Sequence, residues 1–333
     1  MVSPDRLLAS DLEHFRRRWQ AQNRFFLDRR LFAGQLSGRA SPLALSGGEG
    51  YGEGFSRLWA GGFGGWNEQK SRENLPGYEY DSRGLALGYE YSRDNFNLGL
   101  AAAYSGGDLK INELGYKNEA DVLNLALYGT WLHDSGFYLE GGLGYGHARN
   151  DYRVHSLSVP GGVKKGKYDS DAFSLNLELG YLAQLAGGFN LIPSLGLEYT
   201  HLSNDSWTEG VNNAVLVANR FRSGSDSGLD IPVGLRLNKM FACGDDGGFI
   251  IPEIRVAYVY AADKSRPSIT SGFAGTPGGM KMVGVDPGDN HWRIGAGLTG
   301  QVNDRVGLNL DYDLETKSGF KSHNLTATVG FSF

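Results

Sequence analysis

The sequence predicts an all-β protein: a 12-stranded antiparallel up-and-down transmembrane β-barrel, preceded by one α-helix. Three observations carry the prediction. Apolar and small or polar residues alternate at period two through twelve successive segments. Short turn-like joins recur between every second pair of those segments, as antiparallel hairpins require. The apolar face is rich in Leu and ends in Tyr, Trp or Phe, whereas the other face is mainly Gly, Ala, Ser, Thr and Asn.

The elements follow in order. Residues 5–32 contain neither Gly nor Pro, and Leu8, Leu12, Phe15 and Trp19 recur at helical spacing with arginines between them. Gly34 supplies a stop, so residues 1–33 are expected to form an amphipathic helix. AGQLSGRASPLALSGGEGYGEG follows as a Gly/Ser-rich connector over 34–54. The barrel is expected over 55–333. Its strands are predicted in SRLWAGGFGGW, GLALGYEYS, NFNLGLAAAYS, VLNLALYGTWL, FYLEGGLGYG, FSLNLELGYLAQL, LIPSLGLEYT, LDIPVGLRLN, IIPEIRVAYVY, HWRIGAGLTGQV, RVGLNLDYDL and HNLTATVGFSF. The first is the least regular. In the last, Leu325, Ala327, Val329, Phe331 and Phe333 share one face, carried to the final residue.

SRDN, HDSG, LAGG, GDDGG and VNDR read as the short joins, and longer stretches at 150–167, 203–225 and 262–290 read as loops on the opposite rim. A soluble sandwich also alternates, but its outward face should carry charge freely. Here the apolar face ends in Tyr91, Tyr104, Trp131, Phe137, Tyr145, Phe173, Tyr181, Phe189, Tyr199, Tyr258, Trp292, Tyr312 and Phe333. Aromatic girdles around an aliphatic band mark a lipid-facing barrel. In hydrocarbon every strand edge must be paired, so the last strand must close on the first.

Composition narrows the function. There are 50 glycines in 333 residues, about twice the usual share of roughly 7%, together with 17 Tyr, 17 Phe and 6 Trp. Mean hydropathy is negative, and no apolar run approaches the roughly 20 residues of a membrane helix. A net charge of −5 offers nucleic acid no electrostatic support. The lone Cys243 excludes an intrachain disulfide and a Cys-rich metal site. The histidines show no metal-ligand spacing, and no cofactor is expected. MVSPDRLL lacks the basic and apolar regions of a secretory signal, which suggests a cytosolic protein or the C-terminal part of a longer precursor.

RLWAGGFGGWNE, SRGLALGYEYSRDNFNLGLAAAYSGGD, LGLEYTHL, GLTGQVNDRVGLNLDYD and HNLTATVGFSF, in that order, resemble the translocator domain of bacterial autotransporters of the type V secretion class. The resemblance covers essentially the whole chain. It implies a barrel in the outer membrane of a Gram-negative cell, with the N-terminal helix in its pore and the short turns facing the periplasm. It implies export of an upstream passenger polypeptide without ATP or cofactor. It also implies that the C-terminal strand is the signal read by the β-barrel assembly machinery, and that the barrel works as a monomer. The missing signal peptide and passenger are read as truncation upstream of Met1. A passive channel or surface adhesin barrel without a passenger is the competing expectation.

If the apolar face meets lipid, Glu90, Glu140, Glu178, Glu198, Asp230, Glu253, Asp311 and Asp313 line the lumen with Arg236, Arg255 and Arg293, a net of −5. The segment Asp5 to Arg30 carries +3, with Arg16, Arg17, Arg18 and Arg24 among its seven arginines. A cationic helix in an anionic bore is self-consistent, and deleting residues 1–40 is expected to open the pore. Glycine-rich walls would leave room for an extended chain. Some autotransporters cut off their passenger at an Asn-Asn pair, where this helix has only Asn23 in AQNRFF. Asp311 and Asp313 could share a proton, though charged lumen residues are expected in any case. Ser322 and His323 are adjacent on one strand, so they face opposite ways and cannot form a dyad. No G-x-S-x-G elbow occurs, and no enzymatic activity is expected.

Overall fold

In a computed structural model, the chain is described at Arg16, Gln20 and 54–333, apart from 72–75, 157, 244–247, 264–265, 285–289, 304 and 318. Twelve strands form one closed ring. They are β1 (Phe55–Gln69), β2 (Tyr78–Arg93), β3 (Phe96–Ile111), β4 (Tyr116–Leu132), β5 (Phe137–His155) and β6 (Val163–Tyr181). The other half holds β7 (Phe189–Asn204), β8 (Gly224–Lys239), β9 (Gly248–Ala261), β10 (His291–Gln301), β11 (Val306–Lys317) and β12 (Phe320–Ser332).

Every strand pairs antiparallel with its sequence neighbours, and β12 returns to β1 from Arg57↔Ser332 to Gln69↔Phe320. The last residue takes part in the seam. Phe333 N–H donates to Ser56 O at 2.9 Å, and Ser56 N–H donates to Phe333 O at 3.0 Å. No sheet edge is therefore left open around the ring, which is the condition for a sheet to lie in hydrocarbon.

Alternation fixes the two faces. On β3, Phe96, Leu98, Leu100 and Tyr104 are exposed, while Asn97, Ala101, Ala103 and Ser105 between them are buried. Two tight joins show the turn chemistry. Asp94, with φ +51°, turns the β2–β3 hairpin, and Gly136, with φ +98°, turns β4–β5.

The opposite rim differs from the expectation of a loop at every join. Of the stretch 150–167, residues 150–155 belong to β5 and 163–167 to β6, leaving a join of 156–162. β3 and β4 are linked only by a 3-10 turn at Asn112–Leu114 and Gly115, and β11 and β12 only by 318–319. SHN at 322–324 lies within β12. The reason is physical: alternation continues past the lipid-facing band, but its outward residues change from Leu to charged ones. Backbone pairing continues into water, so strand length exceeds membrane thickness.

This creates a one-sided collar. β5 continues ten residues beyond the interfacial Tyr145 to His155, about 33 Å of strand. β10 instead begins at His291, directly beside Trp292. From the low side, the segments 205–223 and 266–284 fold back over the mouth. Trp207–Thr208, Asn219–Phe221, Ser268–Phe273 and Met280–Val283 pair there as a small four-stranded sheet. Trp207, Phe221 and Ile269 of these segments turn inward against the collar.

Candidate functional site: the lumen and its mouth

Each acidic and basic residue expected in the lumen lies on the inner face. Glu90, Glu140, Glu198, Arg236 and Asp311 are buried, and Glu178, Asp230, Glu253, Arg255, Arg293 and Asp313 are half-buried. Arg57, Asp226 and Glu315 also face inward but escaped sequence reading. Arg57 sits in the least regular strand, and Asp226 and Glu315 lie beyond the segments in which alternation was read. The inward direction of Arg57 follows from its place over the backbone of Gly307 and Gly330.

The lumen wall has two unlike halves. Over β6 to β11 it is an ion-pair lattice. Arg255 Nη1 meets Asp311 at 2.8 Å, and its Nη2 and Nε donate to the two oxygens of Asp313 at 2.8 and 3.0 Å. Asp311 and Asp313 share a face of β11, and the Arg255 guanidinium lies between them. Arg293 donates twice to Glu198, at 2.9 and 3.2 Å. Arg236 donates to Glu178 Oε2 at 2.7 Å, and Tyr138 donates to the same carboxylate at 2.6 Å. Bidentate pairs of this kind are the strong ones.

Over β1 to β5 the wall is aromatic and small. Trp59 Nε1 donates to Tyr128 Oη at 2.9 Å, and Tyr128 donates to Glu90 at 2.6 Å. Trp59 lies opposite Gly88, Tyr128 opposite Gly99, and Tyr138 opposite Gly180. A Cβ at any of these three glycines would fall inside the facing ring. The expectation that the glycines leave room is therefore corrected at these positions: they are seats for rings lying flat on the wall. Sequence could not reveal the pairing, because it depends on register between strands.

Of the N-terminal segment, Arg16 and Gln20 are described, both helical and both buried. Arg16 Nε is 3.0 Å from Asp226 Oδ2, and Gln20 Nε2 donates to Asp230 Oδ2 at 3.2 Å. Gly228 lies between the two acids, and a Cβ there would collide with the Arg16 guanidinium. Asp226 and Asp230 are four residues apart on the inner face of β8, as Arg16 and Gln20 are on a helix. Leu12, Phe15, Arg17, Arg18, Trp19, Asn23 and Arg24, expected on the same helix, lie outside the described residues.

The mouth is covered by a separate apolar cluster. Tyr80, Leu109, Ile111, Tyr116, Tyr152, Val154 and Tyr168 come from the collar, and Trp207, Phe221 and Ile269 from the folded-over segments. Trp207 stacks on Tyr168 at 4.2 Å and on Phe221 at 4.6 Å between ring centroids. Within this cluster Glu209 is buried. It accepts from Asn219 N–H at 2.9 Å and from Tyr152 at 3.2 Å, and faces Lys164 Nζ at 3.3 Å. Burial pushes the Glu209 carboxyl above its usual value, against the pull of Lys164. The same burial, with the Glu209 charge nearby, raises the Tyr152 hydroxyl.

Outside, the aromatics fall into two girdles. Tyr91, Trp131, Phe137, Tyr181 and Phe189 lie toward the rim that holds the chain end, and Tyr104, Tyr145, Tyr258, Trp292 and Tyr312 toward the collar, all exposed. Tyr199, half-buried, joins the second group. Their polar tips have partners: Tyr104 donates to Asp121 at 3.0 Å and Tyr145 to Asp171 at 2.7 Å. Leu325, Val329 and Phe331 of β12, and Phe333 just after it, are exposed beside Ala327 on the lipid-facing side. Ser322 is buried inside, while His323 points out to Tyr312 at 2.7 Å, so the two are not a catalytic pair.

A family profile described as Autotransporter beta-domain matches residues 58–313. Outer membrane protein B of Rickettsia typhi is 23% identical over 286 residues, covering 83% of this chain and 17% of that protein. This chain thus spans under a fifth of that relative's length. Among solved structures, the translocator domain of autotransporter NalP from Neisseria meningitidis superposes with a TM-score of 0.67 at 14% identity, covering 92% of this chain and 98% of that one. The beta domain of the Bordetella autotransporter BrkA gives 0.64 at 16% identity, over 84% and 100%. These likenesses show the same fold.

Proposed function

This chain belongs to the autotransporter beta-domain family and is an outer-membrane translocator domain; on that premise we propose that it exports a passenger polypeptide joined upstream of residue 1. The observation that carries the reading is the ring itself. It is sealed through Phe333, apolar outside and polar inside, and Arg16 and Gln20 lie inside against β8. On this reading 1–33 is the pore-helix segment, 34–54 the connector and 55–333 the barrel; of the first two, only Arg16, Gln20 and Gly54 are among the described residues. A helix held by Arg16–Asp226 and Gln20–Asp230 is what remains in the bore once the chain ahead of it has passed outside.

In this reading the barrel supplies a closed, hydrated conduit and performs no catalytic step. The outward row Leu325, Ala327, Val329, Phe331 and Phe333 is the signal for the β-barrel assembly machinery, and the inserted barrel is a monomer. A covered mouth favours this reading over a passive channel, whose mouth must stay open to conduct.

The test places a secreted reporter ahead of residue 1, behind a signal peptide, in a Gram-negative host. Protease added to intact cells should remove the reporter, and Phe333 deletion should cut surface display by lowering barrel insertion. A barrel that inserts normally while its reporter stays protected in the periplasm overturns the reading.

A further inference from the structure

We propose that the folded-over segments form a second closure of the lumen, independent of the N-terminal helix and latched by Trp207, Tyr152, Glu209 and Lys164. The helix contacts, Asp226 and Asp230, lie on the inner face of β8 toward its mouth-side end. The latch residues Trp207, Tyr152, Glu209 and Lys164 include neither of these acids, so the latch does not depend on the two described helix contacts.

The first support is the span. Its sheet is rooted on the low side, where Arg222 N–H donates to Thr270 O at 3.0 Å, directly before β8. Its far side shares one apolar cluster with Tyr80 of β2, with Met282 and Tyr78 packed against it. β8 and β2 are six strands apart in a ring of twelve, which is diametrically opposite. A sheet rooted beside β8 and sharing one apolar cluster with β2 spans the mouth.

The second support is the latch. Trp207 Nε1 donates to Tyr152 Oη at 3.1 Å, Tyr152 donates to Glu209, and Glu209 faces Lys164. Gly210 and Val211 then pair with Lys165 and Lys164 on the edge of β6. One segment is thus tied to the collar by ring stacking, a buried carboxylate and backbone pairing within five residues. The low side lacks a collar, since β10 begins at His291 beside Trp292. Swinging the sheet away exposes the bore without breaking any barrel strand pair. An exporting chain has to displace it, and it re-forms behind.

The test is conductance in planar bilayers, in a Cys243→Ser background, and does not involve a passenger, so its failure is separate from failure of the export reading. Were the helix the sole plug, deleting residues 1–40 would open the pore; with a second closure, the deleted form should stay mostly shut. Adding Trp207→Ala should raise the open fraction by about tenfold or more, since loss of a few kcal/mol from a two-state closure shifts its populations by that factor. A Lys165→Cys/Gly210→Cys pair, on directly opposed residues within disulfide reach, should silence that opening when oxidised and restore it on reduction. If Trp207→Ala does not fold, as read by loss of heat-modifiable migration, the cysteine pair is scored alone in the helix-deleted protein. A helix-deleted barrel that conducts fully, with no response to oxidation of the pair, overturns the proposal.

Discussion

Leu100→Arg puts the direction of the hydrophobic effect to the test. Leu100 is 60% exposed, and its neighbour Ala101 is 7% exposed. It lies four residues from Phe96 and four from Tyr104 on β3, about 13 Å of strand from each girdle. That is the middle of the band. If hydrocarbon surrounds the barrel, an arginine there costs about 2–4 kcal/mol, or about 30- to 900-fold in the folding equilibrium at 1.36 kcal/mol per decade. If water surrounds it, an exposed Leu→Arg change stays within about 0.5 kcal/mol. Leu177, between Phe173 and Tyr181 on β6, is the matching site on another strand. Tyr104→Arg at the girdle should cost only about 0–1 kcal/mol. The assay is reversible guanidinium unfolding in lipid vesicles, followed by tryptophan emission and gel mobility. Equal stability of Leu100→Arg and the unaltered barrel, with solubility in the absence of detergent, would refute the lipid-facing assignment.

Other outcomes follow from the inner wall. Arg255→Ala strands Asp311, Asp313 and Glu253 without the guanidinium that lies 2.8, 2.8 and 3.5 Å from them; the expected loss is about 3–5 kcal/mol, read as a lower unfolding midpoint in vesicles. Gly180→Val drives a side chain into the Tyr138 ring and should cost about 1–3 kcal/mol. Gly62→Val, whose nearest neighbours stand at 3.7 and 3.8 Å on the outer face, should be nearly neutral by the same measurement. Glu209 gives a pH dependence. Its carboxyl is raised above 4.5 by burial, so its stabilisation of the closed mouth is complete below that value and lost as pH rises through the raised one. Conductance of the helix-deleted barrel should therefore fall on acidification, and Glu209→Gln should flatten the profile.

Much of this molecule can be read locally. Side-chain alternation is a property of a single strand, so Leu98 and Leu100 can be assigned to one face and Asn97 and Ala101 to the other without any partner. The lipid-facing direction is readable too, because hydrocarbon inverts the usual pattern and leaves leucine opposite glycine and alanine. The loop rim was misread for a reason equally local. Where β5 and β6 leave the membrane, Arg149, Asp151, Lys165 and Lys167 replace leucine on the outer face, and charged residues look like loop although the backbone still pairs.

The sequence by itself therefore determined the strands, their two faces, the closure through Phe333 and the inward direction of most lumen charges. Tertiary structure alone decided which of those charges meet, as Arg255 does with residues 58 and 56 positions away. It also decided which glycine lies under which ring, and that the segments around Trp207 and Ile269 turn back across the mouth. Those outcomes depend on strand register and ring curvature, which bring together residues far apart in the chain, and no local period encodes distances of that kind.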